Sequence, residues 1–162
     1  LRMKKAALGA LVLMATTGLA TAEVVAPGEV VMDEYGFVPA PLTDQPGDPE
    51  RGRKIVGTKS LGNCVSCHQI TEMSHDVPFH GEVGPMLDGL PHRYPVAMIR
   101  GILVNSKNVF DGTVMPAYYK TDGFIRPGNG YTGKAAEGAI EPLLSAQQIE
   151  DVIAYLLTLE DE

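Results

Sequence analysis

No hydrophobic run in this 162-residue chain reaches the ~20 apolar residues needed to cross a bilayer. Cysteine occurs only twice, and basic side chains number 13 against 20 acidic ones. Each shortage excludes a class of protein. The acidic balance removes nucleic acid as a partner, because phosphate recognition needs clustered Lys and Arg. The longest greasy stretch, residues 6–20, is broken by Thr16, Thr17 and Gly18. It follows Arg2, Lys4 and Lys5 and ends in Ala20-Thr21-Ala22, the charged, apolar and small-residue order of a secretory signal rather than of an anchor. Residues 1–22 are therefore expected to be a cleaved signal peptide that directs the chain to the periplasm. Its loss takes three basic and no acidic residues, which leaves residues 23–162 with a net charge of −10 and no membrane span.

Two cysteines in an exported chain ordinarily suggest one disulfide. Here they stand in Gly62-Asn63-Cys64-Val65-Ser66-Cys67-His68-Gln69, which contains C-x-x-C-H, the attachment sequence for c-type haem. In a helical turn, positions three apart share a face, so both thiols can add to the two vinyl groups along one porphyrin edge. His68, next to the second thioether, then brings its imidazole to the iron. A thioredoxin-like redox pair would want a βαβ frame, which this Gly- and Pro-rich chain lacks. A zinc site would need two further ligands from His75, His80 and His92, which lack the spacing of common structural sites. A disulfide within C-x-x-C closes a small ring and adds little stability. The prediction is one haem c, bound covalently through Cys64 and Cys67 and ligated by His68.

The pattern around the motif predicts an all-α domain. Residues 23–47 carry repeated Pro and Gly without helical period and read as an extended arm. Val30, Val31, Met32, Tyr35, Phe37 and Leu42 are too apolar for an idle tail, so part of this arm should lie on a protein surface, its own or a partner's. The cytochrome domain is expected over 48–162. Asp48-Pro49 opens a helix to about Lys59, and a second runs from near Pro95 to about Asn105 with Ile99, Ile102 and Leu103 on one stripe, covering a haem edge. In the last helix Ser145 and Gln148 form a capping box. Its apolar face is Ile149, Val152, Ile153, Leu156 and Leu157, and its natural partner is the first helix, with Gly52 permitting close approach near Tyr155.

From about residue 48 to 160 the chain resembles the class I c-type cytochromes, whose terminal helices cross in this way. The resemblance implies a helical fold around one haem, with an extended arm and long loops added. Within it, Val83-Gly84-Pro85-Met86-Leu87 matches a stretch whose proline carbonyl accepts a hydrogen bond from the ligating histidine. That places Pro85 behind His68, where an acceptor for Nδ1–H would fix the ring's tautomer and orientation. The sixth iron ligand should come from the other side, and Met115, in Asp111-Gly112-Thr113-Val114-Met115-Pro116, is the leading candidate. Met73, Met86 and Met98 compete, as does a second histidine from 75, 80 or 92.

Met115-Pro-Ala-Tyr-Tyr-Lys120 and Leu144-Ser-Ala-Gln-Gln-Ile-Glu-Asp-Val-Ile-Ala-Tyr-Leu156 narrow the resemblance to the SoxX family, the single-haem subunits of SoxAX cytochrome complexes. That family implies electron transfer during oxidative coupling of thiosulfate to a carrier-protein cysteine, an L-cysteine S-thiosulfotransferase activity. It also implies a SoxA-type multihaem or monohaem cytochrome as heterodimer partner, a SoxYZ-type carrier met transiently, and a small downstream cytochrome as acceptor. With both thiols used for attachment, no catalytic residue is expected on this chain; the sulfur chemistry belongs to the partner. A free-standing electron shuttle is the competing reading. Two stretches exceed a minimal class I cytochrome, Thr71 to Val83 and Thr121 to Pro142, and either could face a partner or be a plain surface loop. Arg93, Arg100, Lys120 and Arg126 are candidates to meet the haem propionates.

Overall fold

A computed structural model describes residues 23–160, so the expected signal segment lies outside the described residues. The chain is all-α. The helices are α1 (Pro49–Gly57), α2 (Leu90–Arg93), α3 (Val96–Val109) and α4 (Ala146–Leu156), with 3-10 turns at Pro27–Glu29, Cys64–Ser66 and Thr71–Met73. Among the described residues extended pairing is confined to the isolated bridges Val24–Thr43 and Gly128–Ala135.

Helix α1 begins as its sequence dictates: the Asp48 carboxylate accepts the N–H groups of Glu50 and Arg51, and Pro49 loses nothing at a position whose N–H would be orphaned. It stops at Gly57, short of Lys59, because Thr58 turns extended and returns its N–H to Ile55. Helix α4 carries the full capping box between Ser145 and Gln148. Ile149, Val152, Ile153 and Leu156 are buried as the spacing requires. Leu157 is not: it sits at the C-cap, where the face has rotated away from the core, and is 36% exposed.

Helices α1 and α4 cross at Gly52. A Cβ there would collide with the Asp151 carbonyl and lie 2.7 Å from the Tyr155 Cβ, so only glycine allows this approach. The buried Asp151 carboxylate pins the crossing. It takes the Arg51 guanidinium at 2.9 and 3.0 Å, the Asp48 N–H at 2.8 Å and the Gln147 amide at 3.0 Å. Burial alone would push its pKa up, but the hydrogen bonds from Arg51 and Gln147 outweigh that and hold it below the usual carboxylate range.

The arm lies on its own domain. Val38 and Leu42 are buried in the core. The Val38 N–H donates to Ala97 at 2.9 Å, Leu42 N–H donates to the Glu150 carboxylate at 2.9 Å, and the Tyr119 hydroxyl donates to Val25 at 2.7 Å. Val31 and Tyr35 face solvent. Arg100, a propionate candidate by its charge, is instead committed to this packing. It is buried, donates to both Glu150 oxygens at 2.8 and 3.0 Å and reaches the Val38 carbonyl at 3.0 Å. Arg93 is occupied too, donating to the carbonyls of Asp88 and Met86 at 2.6 and 2.7 Å.

Candidate functional site

The approach to the cysteines is a compact turn. Gly62 N–H returns to Ile55 at 3.1 Å, and Asn63 takes a left-handed conformation (φ 48°) that starts the Cys64–Ser66 turn. Cys67 and His68 N–H groups both donate to the Cys64 carbonyl, at 3.1 and 2.9 Å. The single turn thus carries both thiols and the imidazole. Both cysteines are free of disulfide, Cys64 buried and Cys67 partly so. Burial pushes the Cys64 thiol up to about 11. An activated, nucleophilic thiol needs the opposite shift. Among the described residues no cluster of three or more His, Cys, Asp or Glu is placed to hold a metal ion.

A cavity of about 610 Å³ opens beside this turn, lined by Cys64, Cys67 and His68 together with Pro85 and Met115. Its walls are mostly aliphatic: Leu87 and Leu90, the α3 stripe of Ile99, Ile102 and Leu103, and Leu156 from α4. The expected stripe of α3 therefore faces this space. His68 Nδ1 lies 2.7 Å from the Pro85 carbonyl. A carbonyl can only accept, so Nδ1 carries the proton and Nε2 is the nitrogen available to a metal.

The neighbouring Gly84, quoted in sequence only with the stretch that holds Pro85, lies against the same ring. A Cβ at this position would meet the His68 ring, 2.6 Å from Nδ1, and the Gly84 N–H donates to Cys67 at 2.7 Å. The segment from 71 to 83 also belongs to the site's support. Gly81 N–H donates to the Val65 carbonyl at 2.8 Å, and His80 Nδ1 accepts the Ile70 N–H at 3.2 Å. Its far root is tied down by Arg53 to Asp76 at 2.9 Å and by the Tyr155 hydroxyl on Glu72. Its tip presents Phe79 at 95% exposure with φ 64°. The loop from 121 to 142 is mostly exposed, with Ile125 and Tyr131 in solvent.

Of the methionines considered, Met115 alone lines the cavity. Met73 is buried against Gly57, Met86 is exposed, and Met98 is half-buried away from the cavity. His75 and His92 are exposed, and neither they nor His80 line it. The Tyr118 hydroxyl closes the base by donating to the Gly62 carbonyl at 2.8 Å, a contact no motif announced. An apolar slot with two thiols, one oriented imidazole and one thioether on its lining is the donor set a c-type haem requires.

Comparison with known proteins agrees. No curated protein matches the chain. The chain is similar to the crystal structure of SoxXA from P. pantotrophus, at 54% sequence identity and a TM-score of 0.77, covering 83% of this chain and 96% of that one. The family model described as Cytochrome c matches residues 49–160, a span that begins with α1 and closes just past α4. The chain belongs to the cytochrome c family.

Proposed function

We propose that this chain is the single-haem, electron-carrying subunit of a SoxXA-type complex that joins thiosulfate oxidatively to a carrier-protein cysteine. The observation that carries the reading is 54% identity over 96% of a chain from a SoxXA structure. The donor set of the cavity supports it. A haem attached at Cys64 and Cys67 would supply a reversible one-electron couple. The chain's own residues do the rest. His68, oriented by Pro85, would hold the iron through Nε2, Met115 would add a soft thioether that favours the reduced state, and the aliphatic walls would limit water.

Joining a thiol to thiosulfate forms one sulfur–sulfur bond and releases the thiol proton and two electrons. One carrier of this kind therefore accepts them in two turns or beside another redox centre. Both cysteines of the chain serve attachment, so the bond-forming sulfur chemistry falls to a SoxA-type partner, with a SoxYZ-type carrier as substrate and a small cytochrome as acceptor. The assembly would work in the periplasm.

Purification from the native host tests the reading. The chain should elute with a second cytochrome subunit, and its deletion should abolish thiosulfate oxidation. A chain that elutes alone while thiosulfate oxidation survives its deletion is a free shuttle, and the complex is then excluded.

A further inference from the structure

Asn105 interrupts α3 with φ −154° and ψ 93°. In a continuous helix the carbonyls of Leu103 and Val104 would face the N–H groups of residues 107 and 108. Here they accept Tyr118 N–H at 3.0 Å and Tyr119 N–H at 3.2 Å, while Lys107 N–H turns to the Asn105 side chain at 3.3 Å. The break thus converts one turn of helix into a docking edge for the chain that follows Met115. It also presents Ser106, which is 0% exposed. The Ser106 hydroxyl donates to the Met115 carbonyl at 2.7 Å, and the exposed Lys107 ammonium reaches the same oxygen.

We propose that Ser106 is a positioning residue for Met115, and that the break in α3 exists to deliver its hydroxyl to the Met115 backbone. The inference rests on the reading of Met115 as an iron ligand. A methionine side chain has three soft torsions, so whether its sulfur stays at bonding distance depends on where its backbone is held. Of the two donors on that carbonyl, the hydroxyl dominates, because Ser106 is fully buried and fixed by its packing, whereas the exposed ammonium is mobile and replaceable by water.

The test is displacement of Met115 by imidazole in the oxidised holoprotein, followed by its visible spectrum. Ser106→Ala should lower the apparent imidazole Kd about tenfold, whereas Lys107→Ala should change it by less than about twofold. In a Met115→Ala background, where nothing has to be displaced, Ser106→Ala should have no effect, which separates positioning from a general loosening of the fold. Equal effects in both backgrounds, or none in the wild type, overturn the proposal. If Met115→Ala itself leaves the imidazole affinity unchanged, the ligand assignment fails instead. Should Ser106→Ala give no holoprotein, Ser106→Thr carries the test. Wild-type affinity with the hydroxyl kept supports the proposal, and a Kd lowered toward that of Met115→Ala overturns it.

Discussion

His68 shares a single turn with Cys64 and Cys67, while Met115 reaches the same cavity from a segment hung on a broken helix. The first wall is built locally. Its backbone is knotted through the Cys64 carbonyl, its imidazole is held by Pro85, and the 71–83 segment braces it from behind. The second wall has no such turn: Met115 is held through Ser106 on the resumed helix, and the chain after it through Tyr118 and Tyr119 to the break in α3. A wall whose donors share one turn that is braced by further segments is expected to survive partial opening, whereas one hung on a few bonds to a broken helix yields first. Ligand exchange should therefore occur on the Met115 side.

The largest contrast comes from removing the thiols. Cys64→Ala with Cys67→Ala should abolish covalent haem completely, seen as a polypeptide of bare mass, whereas no change at Met115 should alter attachment. Next, Met115→Ala should lower the midpoint potential by on the order of 100 mV, within the ~0.8 V span that axial ligands command, and let the reduced protein bind carbon monoxide. An unchanged potential would move the ligand elsewhere and dissolve the contrast.

Glycines on the two sides sharpen it further. Gly84→Ala drives a methyl group into the His68 ring and should cost about 1–3 kcal/mol of stability with a disturbed low-spin spectrum. Gly112→Ala meets no atom within 4 Å, and its φ of 72° should cost only about 1 kcal/mol, with the spectrum unchanged. Denaturant melts with spectra check both.

The smallest effect lies outside both walls, at the α1–α4 crossing. Asp151 has a depressed pKa in the folded state, so its stabilisation is present above the unfolded carboxylate pKa of ~3.9 and lost as pH falls through the lower folded value. Asp151→Asn should flatten acid unfolding in that range. The same acid midpoint in both proteins would assign acid sensitivity to other carboxylates.

Much of this was legible in advance where the cause is local. The caps at Asp48 and Ser145 bond to residues two or three positions away, and the C-x-x-C-H turn has its whole chemistry within five residues. The Gly52 crossing was legible too, because two apolar faces and one small residue leave few ways to pack. Helix α3 was only half legible. Its stripe was visible, but residues 106–109 resume the helix after Asn105, because the docking of Tyr118 and Tyr119 repays the break. The pairing of Arg100 was not legible because a cation's partner is a tertiary fact: nothing near it in sequence points to Glu150. Whether the arm covered this domain or another was open for the same reason, and its bonds to Ala97 and Glu150 answer it.

By itself, then, the sequence determined the helical class, the turn that carries Cys64, Cys67 and His68 together, and the pairing of the first and last helices, since each follows from periodicity or from bonds spanning a few residues. Only the tertiary structure decided that Met115 rather than Met73, Met86 or Met98 lines the cavity, that Gly84 must lack a side chain, and that Ser106 holds the far wall. Those outcomes depend on which distant backbones come within van der Waals contact, and spacing along a chain does not encode that distance.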